Sequence, residues 1–307
     1  MVHGELEFRL NDREYKNWLK AGRCLLILKD GLHPFVNNRM RAFHRDLLNK
    51  NSHLRTPCET SSCKPRANKL SRVCRACSLW QTVILSHHRQ PDSTVNWDNC
   101  SPPSWRTDHW ELAKAYMPRG QVKVKGAHEC DASALLNLIN YCNYFNVDVK
   151  HVKEVIRYRN ELMHSCDFRV RDDWMRRYQT SLTHLVRQFS NIPEMAAVEQ
   201  QINDMLSVDL SIYASGQDQM DSADSVGLES DSASQLKISA DLISQWEAEL
   251  LQERLQELLH AAAAPVDDDT KTLDAEQLMT LGGFLKANRD LAERFSAELQ
   301  AIDSLKA

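Results

Sequence analysis

Apolar residues recur at intervals of three and four along most of this chain, a spacing that places them on one face of an α-helix. The first fifty residues carry this pattern over 11–32 and again over 33–50, and Pro34 would fit the first turn of the second helix. Further stretches of this kind lie at 74–88, 131–145, 147–165, 172–189 and 194–210. Almost nothing alternates apolar and polar residues as a half-buried strand does. The pattern predicts an all-α protein, in which Asp131 is the N-cap of the helix that follows it.

The helical pattern is interrupted within residues 52–120. Cys, Ser, Pro and Arg dominate the start of this region, and turn-forming residues surround Trp97, Trp105 and Trp110 further along. Tryptophans spaced this closely usually pin an irregular loop to a core, and a ligand cage is the alternative. We interpret 52–120 as a Cys-rich insertion in a helical domain that spans 1–206.

The pattern stops again after this domain. The segment 207–238 is rich in Ser and Asp and holds few large apolar side chains, so burial cannot offset the chain entropy. We predict an acidic, disordered linker there. Helical spacing resumes in the tail 239–307, first at 238–260 and then at 274–305 with an interruption at Gly282–Gly283. These two stretches predict a C-terminal helical hairpin.

Charge is divided unequally along the chain. Residues 1–200 hold 31 Lys and Arg against 21 Asp and Glu, whereas residues 201–307 hold 7 against 21. The resulting net charges of +10 and −14 leave a total of −4. The basic part is compatible with a polyanionic partner such as RNA, and equally with an ordinary solvated surface. The acidic helical tail is a candidate surface for a protein partner.

The cellular location is predicted from two features that the sequence lacks. No run of eighteen apolar residues occurs, which argues against a membrane span. The first residues, MVHGELEFRLNDREYKNW, are charged almost from the start and lack the apolar core of a signal peptide. We therefore expect a cytoplasmic or nuclear protein without a membrane partner.

Four of the nine cysteines lie close together in a polar stretch. CETSSCKPRANKLSRVCRACS holds Cys58, Cys63, Cys74 and Cys77. Two close pairs separated by a short loop can each occupy one edge of a tetrahedron, the geometry of structural zinc sites. Because a disulfide framework is not expected in a reducing compartment, we predict that these four cysteines bind a structural zinc ion.

Two alternatives to this ligand set stay open. His87, His88 or Cys100 could replace one of the four cysteines, since each lies within a short distance along the chain. Otherwise the second cysteine pair is buried in a helix as small apolar residues and the first pair lies in a loop without a metal.

The stretch IRYRNELMHS places an arginine on the apolar face of a predicted helix. At about 100° per residue, Val152, Ile156 and Met163 share one face, and Arg159 projects from its middle. A buried guanidinium needs a partner, and a carboxylate across the helix bundle would supply one. Asn160 and His164 stand four residues apart on the adjoining flank. In this structural interpretation, His164 is a capping or core histidine.

A functional interpretation comes from a resemblance. Arg159, Asn160 and His164 resemble the signature of HEPN domains, in which a polar residue follows an arginine and a histidine lies four to six positions after that arginine. The apolar helix before them and the Trp- and Tyr-bearing helix after them are also similar. The resemblance implies a bundle of four to five helices that dimerises through the motif helices, so we expect a homodimer.

In active HEPN domains the groove between two copies is a metal-independent endoribonuclease site. The resemblance implies that His164 would transfer a proton to or from the ribose 2′-hydroxyl or the leaving oxygen. Arg159 would neutralise charge developing on the phosphorane, and Asn160 would orient the substrate or the histidine. Many HEPN domains have lost catalysis and serve in RNA binding or protein assembly.

A closer resemblance carries no activity. The segments EYKNWLKAGRCLL, NWDNC, HWELAKAYMPRG, ECDASALLNLIN and RNELMHS are similar to an uncharacterised vertebrate family whose human member is named only as a chromosome-X open reading frame. Zinc-protease, deaminase and P-loop motifs are absent from the sequence. We therefore expect a HEPN-like dimerising module that associates with RNA or acts as an adaptor. The alternative is a metal-independent endoribonuclease built on Arg159, Asn160 and His164.

Overall fold

The computed structural model describes residues 2–90, 95–165, 167–210, 238–263 and 268–304, and of residues 2–3, 260–263 and 268–274 the backbone only. Nearly all of the predicted linker 207–238 lies outside these residues, so its disorder stays a prediction. The helices are α1 Val2–Leu10, α2 Arg13–Lys50, α3 Arg75–Ser86, α4 His109–Ala113, α5 Ala132–Tyr141, α6 Val149–Met163, α7 Asp172–Arg187, α8 Val198–Ser207, α9 Ala240–Ala263, α10 Asp268–Ala287, α11 Arg289–Arg294 and α12 Ser296–Ser304.

The predicted all-α class is confirmed. Apart from two isolated bridges, Arg66 with Lys69 and His88 with Cys142, the described residues contain no β-pairing. Among these helices, none combines the length and the apolar character that crossing a bilayer requires.

The first fifty residues differ from the prediction, because α2 runs unbroken through Pro34. The prediction of two separate helices in this region was therefore wrong. A proline inside a helix costs about 3 kcal/mol or more, because it removes a hydrogen bond and crowds the preceding turn. The apolar positions on either side stay in helical register and are almost fully buried: Leu28, Leu32, Val36, Met40 and Phe43. Burial of this continuous stripe outweighs the cost of the proline.

The chain forms two compact units. The first unit consists of residues 1–23, 164–175 and 203–307, and the second of residues 24–163 and 176–202. The first unit thus combines the N-terminal helix with the helical tail. By sequence it carries 14 Lys and Arg against 28 Asp and Glu, and the second carries 24 against 14. The net charges are −14 and +10.

The first unit has an aromatic core and an ionic core. Trp18 packs edge-on against Phe168 at 5.2 Å between ring centroids, and Phe168 packs on Phe284 at 4.3 Å. Arg9 is buried, and it donates two hydrogen bonds of 2.7 Å to the carboxylate of the fully buried Glu247. The Tyr15 hydroxyl donates to the same carboxylate, so α1, α2 and the tail meet at one charged group.

The tail helices α9 and α10 pack against each other as a hairpin. The interruption predicted at Gly282–Gly283 is wrong, since α10 continues through both glycines and the chain turns at Asn288. Glycine costs about 1 kcal/mol in a helix interior. The packing of α10 on α9 and α12 offsets that cost.

Helices α2, α3, α5, α6 and α7 all contribute buried apolar side chains to the second unit. The predicted cap is confirmed, since the Asp131 carboxylate accepts a hydrogen bond of 2.7 Å from the Ala134 amide at the start of α5. Trp97, Trp105 and Trp110 are all buried, so they pin the insertion to the core as predicted. The insertion adds short 3-10 turns and the Cys-bearing loop in front of α3.

Candidate metal centre and the Arg159 helix

The four predicted cysteine ligands lie together in the second unit. The Sγ atoms of Cys58, Cys63, Cys74 and Cys77 all lie within 4.8 Å of one another. Cys63 and Cys77 are buried, and the other two are half-buried. Cys74 is the N-cap residue of α3, and Cys77 lies in the first turn of that helix.

The loop between the two cysteine pairs folds back on itself. Ala67 and Asn68 both have positive φ, 48° and 57°, and the backbones of Arg66 and Lys69 exchange two hydrogen bonds across this turn. The Asn68 side chain donates to the Val95 carbonyl at 2.9 Å. This tight, anchored turn allows a ten-residue gap to bring the second pair back to the first.

Hydrogen bonds and burial give the thiols unequal acidity. The Cys74 amide donates a hydrogen bond to the Cys63 sulfur at 3.1 Å. Burial alone would raise the pKa of Cys58, but hydrogen bonds from Thr60 and the neighbouring thiols outweigh it and lower that pKa to about 6. Burial and the adjacent thiols Cys58 and Cys74 raise the pKa of Cys77. Four thiolates this close repel one another, so a divalent cation is needed to ionise them all.

The proposed substitute ligands lie apart from this cluster. His88 is buried in a stack between Tyr116 and Tyr141, and its Nδ1 atom accepts from the Gln90 amide. The His87 Nδ1 atom pairs with the Asn143 side chain at 2.8 Å. Burial of Cys100 raises the pKa of its thiol. Among the residues that the structure describes, the group able to hold a metal ion consists of the four cysteines alone.

Arg159 is buried with 1% exposure, as the helical pattern predicted. The buried face of α6 differs in detail, because Ile156 is only half-buried while Val152, Val155, Tyr158, Leu162 and Met163 are covered. The Arg159 Nη2 atom lies 3.5 Å from the Asp131 carboxylate, which also caps α5. Helices α5 and α6 pack against each other, so this ion pair joins two neighbouring helices of the same unit.

Asn160 and His164 do not accompany Arg159 into the interior. Asn160 is exposed on α6. His164 lies just past the end of α6, is exposed, and belongs to the first unit. Its Nδ1 atom is 2.9 Å from the Gln277 side-chain oxygen, which also accepts from Arg254 at 3.1 Å. Arg159 thus pairs with a carboxylate of the second unit, and His164 contacts a side-chain amide of the first.

The sequence patterns missed a basic cleft in the second unit. Arg45, Arg55 and Arg106 line it together with His44. The three arginines come from α2, from the 3-10 turn Ser52–Arg55 and from the tryptophan-bearing loop. No local spacing connects them, and only the excess of basic residues in the first two hundred pointed to this surface.

Comparison with known proteins finds similarity along nearly the whole chain. A family model described as a domain of unknown function, DUF4559, matches residues 9–307. The chain belongs to this family. A mouse relative, named as an uncharacterized protein CXorf38 homolog, is 41% identical over 308 residues, which cover 99% of this chain and 93% of the relative. No solved structure matches the chain.

The DUF4559 match covers both compact units, so their association in one chain is a property of the family. The mouse relative confirms the resemblance to the uncharacterised vertebrate family. Neither comparison assigns an activity, and the HEPN likeness stays a prediction.

Proposed function

We propose that this protein is an RNA-binding module that performs no chemistry, and that a structural zinc ion orders its second unit. The observation that carries the proposal is the gathering of positive charge in that unit. By sequence it holds 24 Lys and Arg against 14 Asp and Glu, while the first unit is strongly acidic. Phosphate neutralisation by such a surface supplies most of the affinity of non-specific RNA binding.

The four cysteines suit zinc better than a harder cation, because thiolates are soft ligands and four of them complete a tetrahedron. Cys58, Cys63, Cys74 and Cys77 would hold the ion with no coordination position left for water. Such a closed site stabilises a fold and does not activate a substrate. The exposed residues Lys64, Arg66, Lys69, Arg72 and Arg75 follow the same loop. They would offset the negative charge of the thiolates and extend the basic surface.

The burial of Arg159 supports a structural role for that residue. A guanidinium with 1% exposure and a carboxylate at 3.5 Å is placed to hold α5 and α6 together. A nuclease would need this group at the substrate phosphate. The endoribonuclease alternative, the homodimer and a protein partner for the acidic tail all stay predictions.

The proposal is tested by fluorescence anisotropy with the full-length chain and a labelled single-stranded oligouridine of about twenty nucleotides. We expect saturable binding whose affinity falls linearly with salt on logarithmic axes. The RNA should be recovered intact on a denaturing gel. Absence of binding at low salt would contradict the proposal. Cleavage that disappears in His164→Ala would instead support the endoribonuclease alternative.

A further inference from the structure

A cleft of about 430 Å³ opens in the second unit. It is lined by His44, Arg45, Leu48, Asn49, Arg55 and Arg106. The volume falls within the roughly 300–1,000 Å³ of small-molecule sites. Three guanidinium groups and no carboxylate line the cleft, so its chemistry favours an anion.

Two of the three arginines in the cleft are available to bind a ligand. Arg45 and Arg106 are exposed, and among the described residues neither forms an ion pair with a carboxylate. The nearest acid along the chain, Asp46, accepts a hydrogen bond of 2.7 Å from the Tyr144 hydroxyl. Arg55 is held in place by donating to the Leu48 carbonyl and the Asn49 side chain, both at 3.1 Å.

One buried tryptophan contacts two of the segments that line the cleft. Trp80, on α3, donates its indole N–H to the Leu54 carbonyl at 3.2 Å, next to Arg55. It also stacks on His44 with an interplanar angle of 12°. The His44 Nε2 atom in turn contacts the Trp105 carbonyl at 2.8 Å, next to Arg106. These contacts fix the positions from which the arginines project, so the cleft is preorganised.

We infer that this cleft binds a phosphodiester of single-stranded RNA, with Arg45 and Arg106 as phosphate ligands and Arg55 as their fixed neighbour. The inference rests on the proposed function and names its site. Guanidinium groups form paired hydrogen bonds to phosphate oxygens. An extended polyanion is favoured over an isolated head group, because the chain that follows Arg55 carries five further exposed basic residues, Lys64, Arg66, Lys69, Arg72 and Arg75.

The metal centre supports the same cleft. Arg55 lies three residues before Cys58, and Trp80 lies on the helix whose first turn contains Cys77. A metal ion bound by the four thiolates would therefore hold together the segments that carry Arg55 and Trp80. Loss of the metal should weaken RNA binding even though no ligand of the metal touches the RNA.

The test compares two charge-matched double variants of the full-length chain. Arg45→Gln with Arg106→Gln removes the cleft charges, and Arg119→Gln with Lys123→Gln removes two exposed charges elsewhere in the second unit. The probe is the labelled oligouridine, titrated at several salt concentrations. Each lost contact to single-stranded RNA should reduce the salt slope by about 0.7, so the cleft variant should bind roughly 20-fold more weakly at 0.1 M salt. The control should change by less than about threefold.

The outcomes separate this site from the wider proposal. Unchanged binding by the cleft variant overturns the site and leaves RNA binding by the unit standing. Equal losses in both variants also overturn it, because they indicate general surface charge. If the wild-type chain binds vesicles containing phosphoinositides but not oligouridine, both proposals fail. Equal zinc content and melting temperature in all proteins exclude misfolding as the cause of a loss.

Discussion

The two units of this chain bring distant segments together through different chemical groups. The first unit joins α1, α2 and the tail through the buried carboxylate of Glu247, whose partner Arg9 lies 238 residues away in sequence. The second unit gathers a polar loop around four thiols within 4.8 Å of one another. The first unit is acidic, and its buried Arg9 pairs with carboxylates. The second unit is basic: its buried Arg159 pairs with Asp131, but the arginines of the basic cleft are exposed. The groups proposed to stabilise the second unit are therefore separate from those proposed to bind RNA.

The largest expected effect is loss of the metal centre. Cys77→Ser should abolish zinc binding and lower the free energy of unfolding of the second unit by on the order of 5 kcal/mol. Elemental analysis and urea unfolding followed by tryptophan fluorescence measure both effects. Cys130→Ala, at a buried cysteine outside the cluster, should keep the zinc. A Cys77→Ser protein that retains both metal and stability would contradict the ligand assignment.

The corresponding change in the first unit is Glu247→Gln. It leaves Arg9 buried without its main counter-charge, so we expect a loss of about 3–5 kcal/mol. Zinc content should not change, since the two stabilising centres are independent. Glu249→Gln on the exposed side of α9 should stay within about 0.5 kcal/mol of wild type. If both substitutions cost the same, the buried network does not stabilise the unit.

A smaller effect is expected at Arg159. Arg159→Gln removes the ion pair with Asp131 and should lower stability by about 2–3 kcal/mol, whereas the exposed Arg157→Gln should cost about 0.5 kcal/mol or less. Thermal denaturation and light scattering follow stability and size. A variant that keeps its stability while a dimer dissociates would place the guanidinium between two copies, as the HEPN likeness implies.

The smallest effect concerns pH. Burial alone would raise the pKa of Asp290, but hydrogen bonds from Arg9 outweigh it and hold that pKa below its ordinary value. A carboxyl whose pKa is lowered by folding contributes stability above its unfolded pKa of about 3.9, and this is lost as the pH falls through the folded value. The first unit should therefore lose stability below about pH 4. Asp290→Asn should flatten that acid limb of a melting-temperature profile, and an unchanged limb would refute the link.

Local patterns predicted much of the fold and the four thiols that lie together. Helical spacing located most helices, Asp131 was recognised as a cap, and Arg159 was expected in the interior. The cysteine spacing identified all four members of the thiol cluster, because two close pairs joined by a short loop can fold back on each other. Each of these features depends on residues near one another in sequence.

The missed features depend on tertiary packing. Pro34 and the pair Gly282–Gly283 should each end a helix by local preference, but burial along the whole helix overrides that preference. Arg45 and Arg106 meet in one cleft only because α2 and the insertion fold together. The buried pair of Arg9 and Glu247 gives no local signal at all. Periodicity reports which face is buried, and it is silent on which segments meet there.

The claim that a metal orders the second unit is tested most directly by native mass spectrometry of the full-length chain. We expect a folded charge-state distribution and a mass that includes one zinc ion per chain. The Cys63→Ser variant should lack the ion. A metal-free chain with the same folded distribution would contradict it.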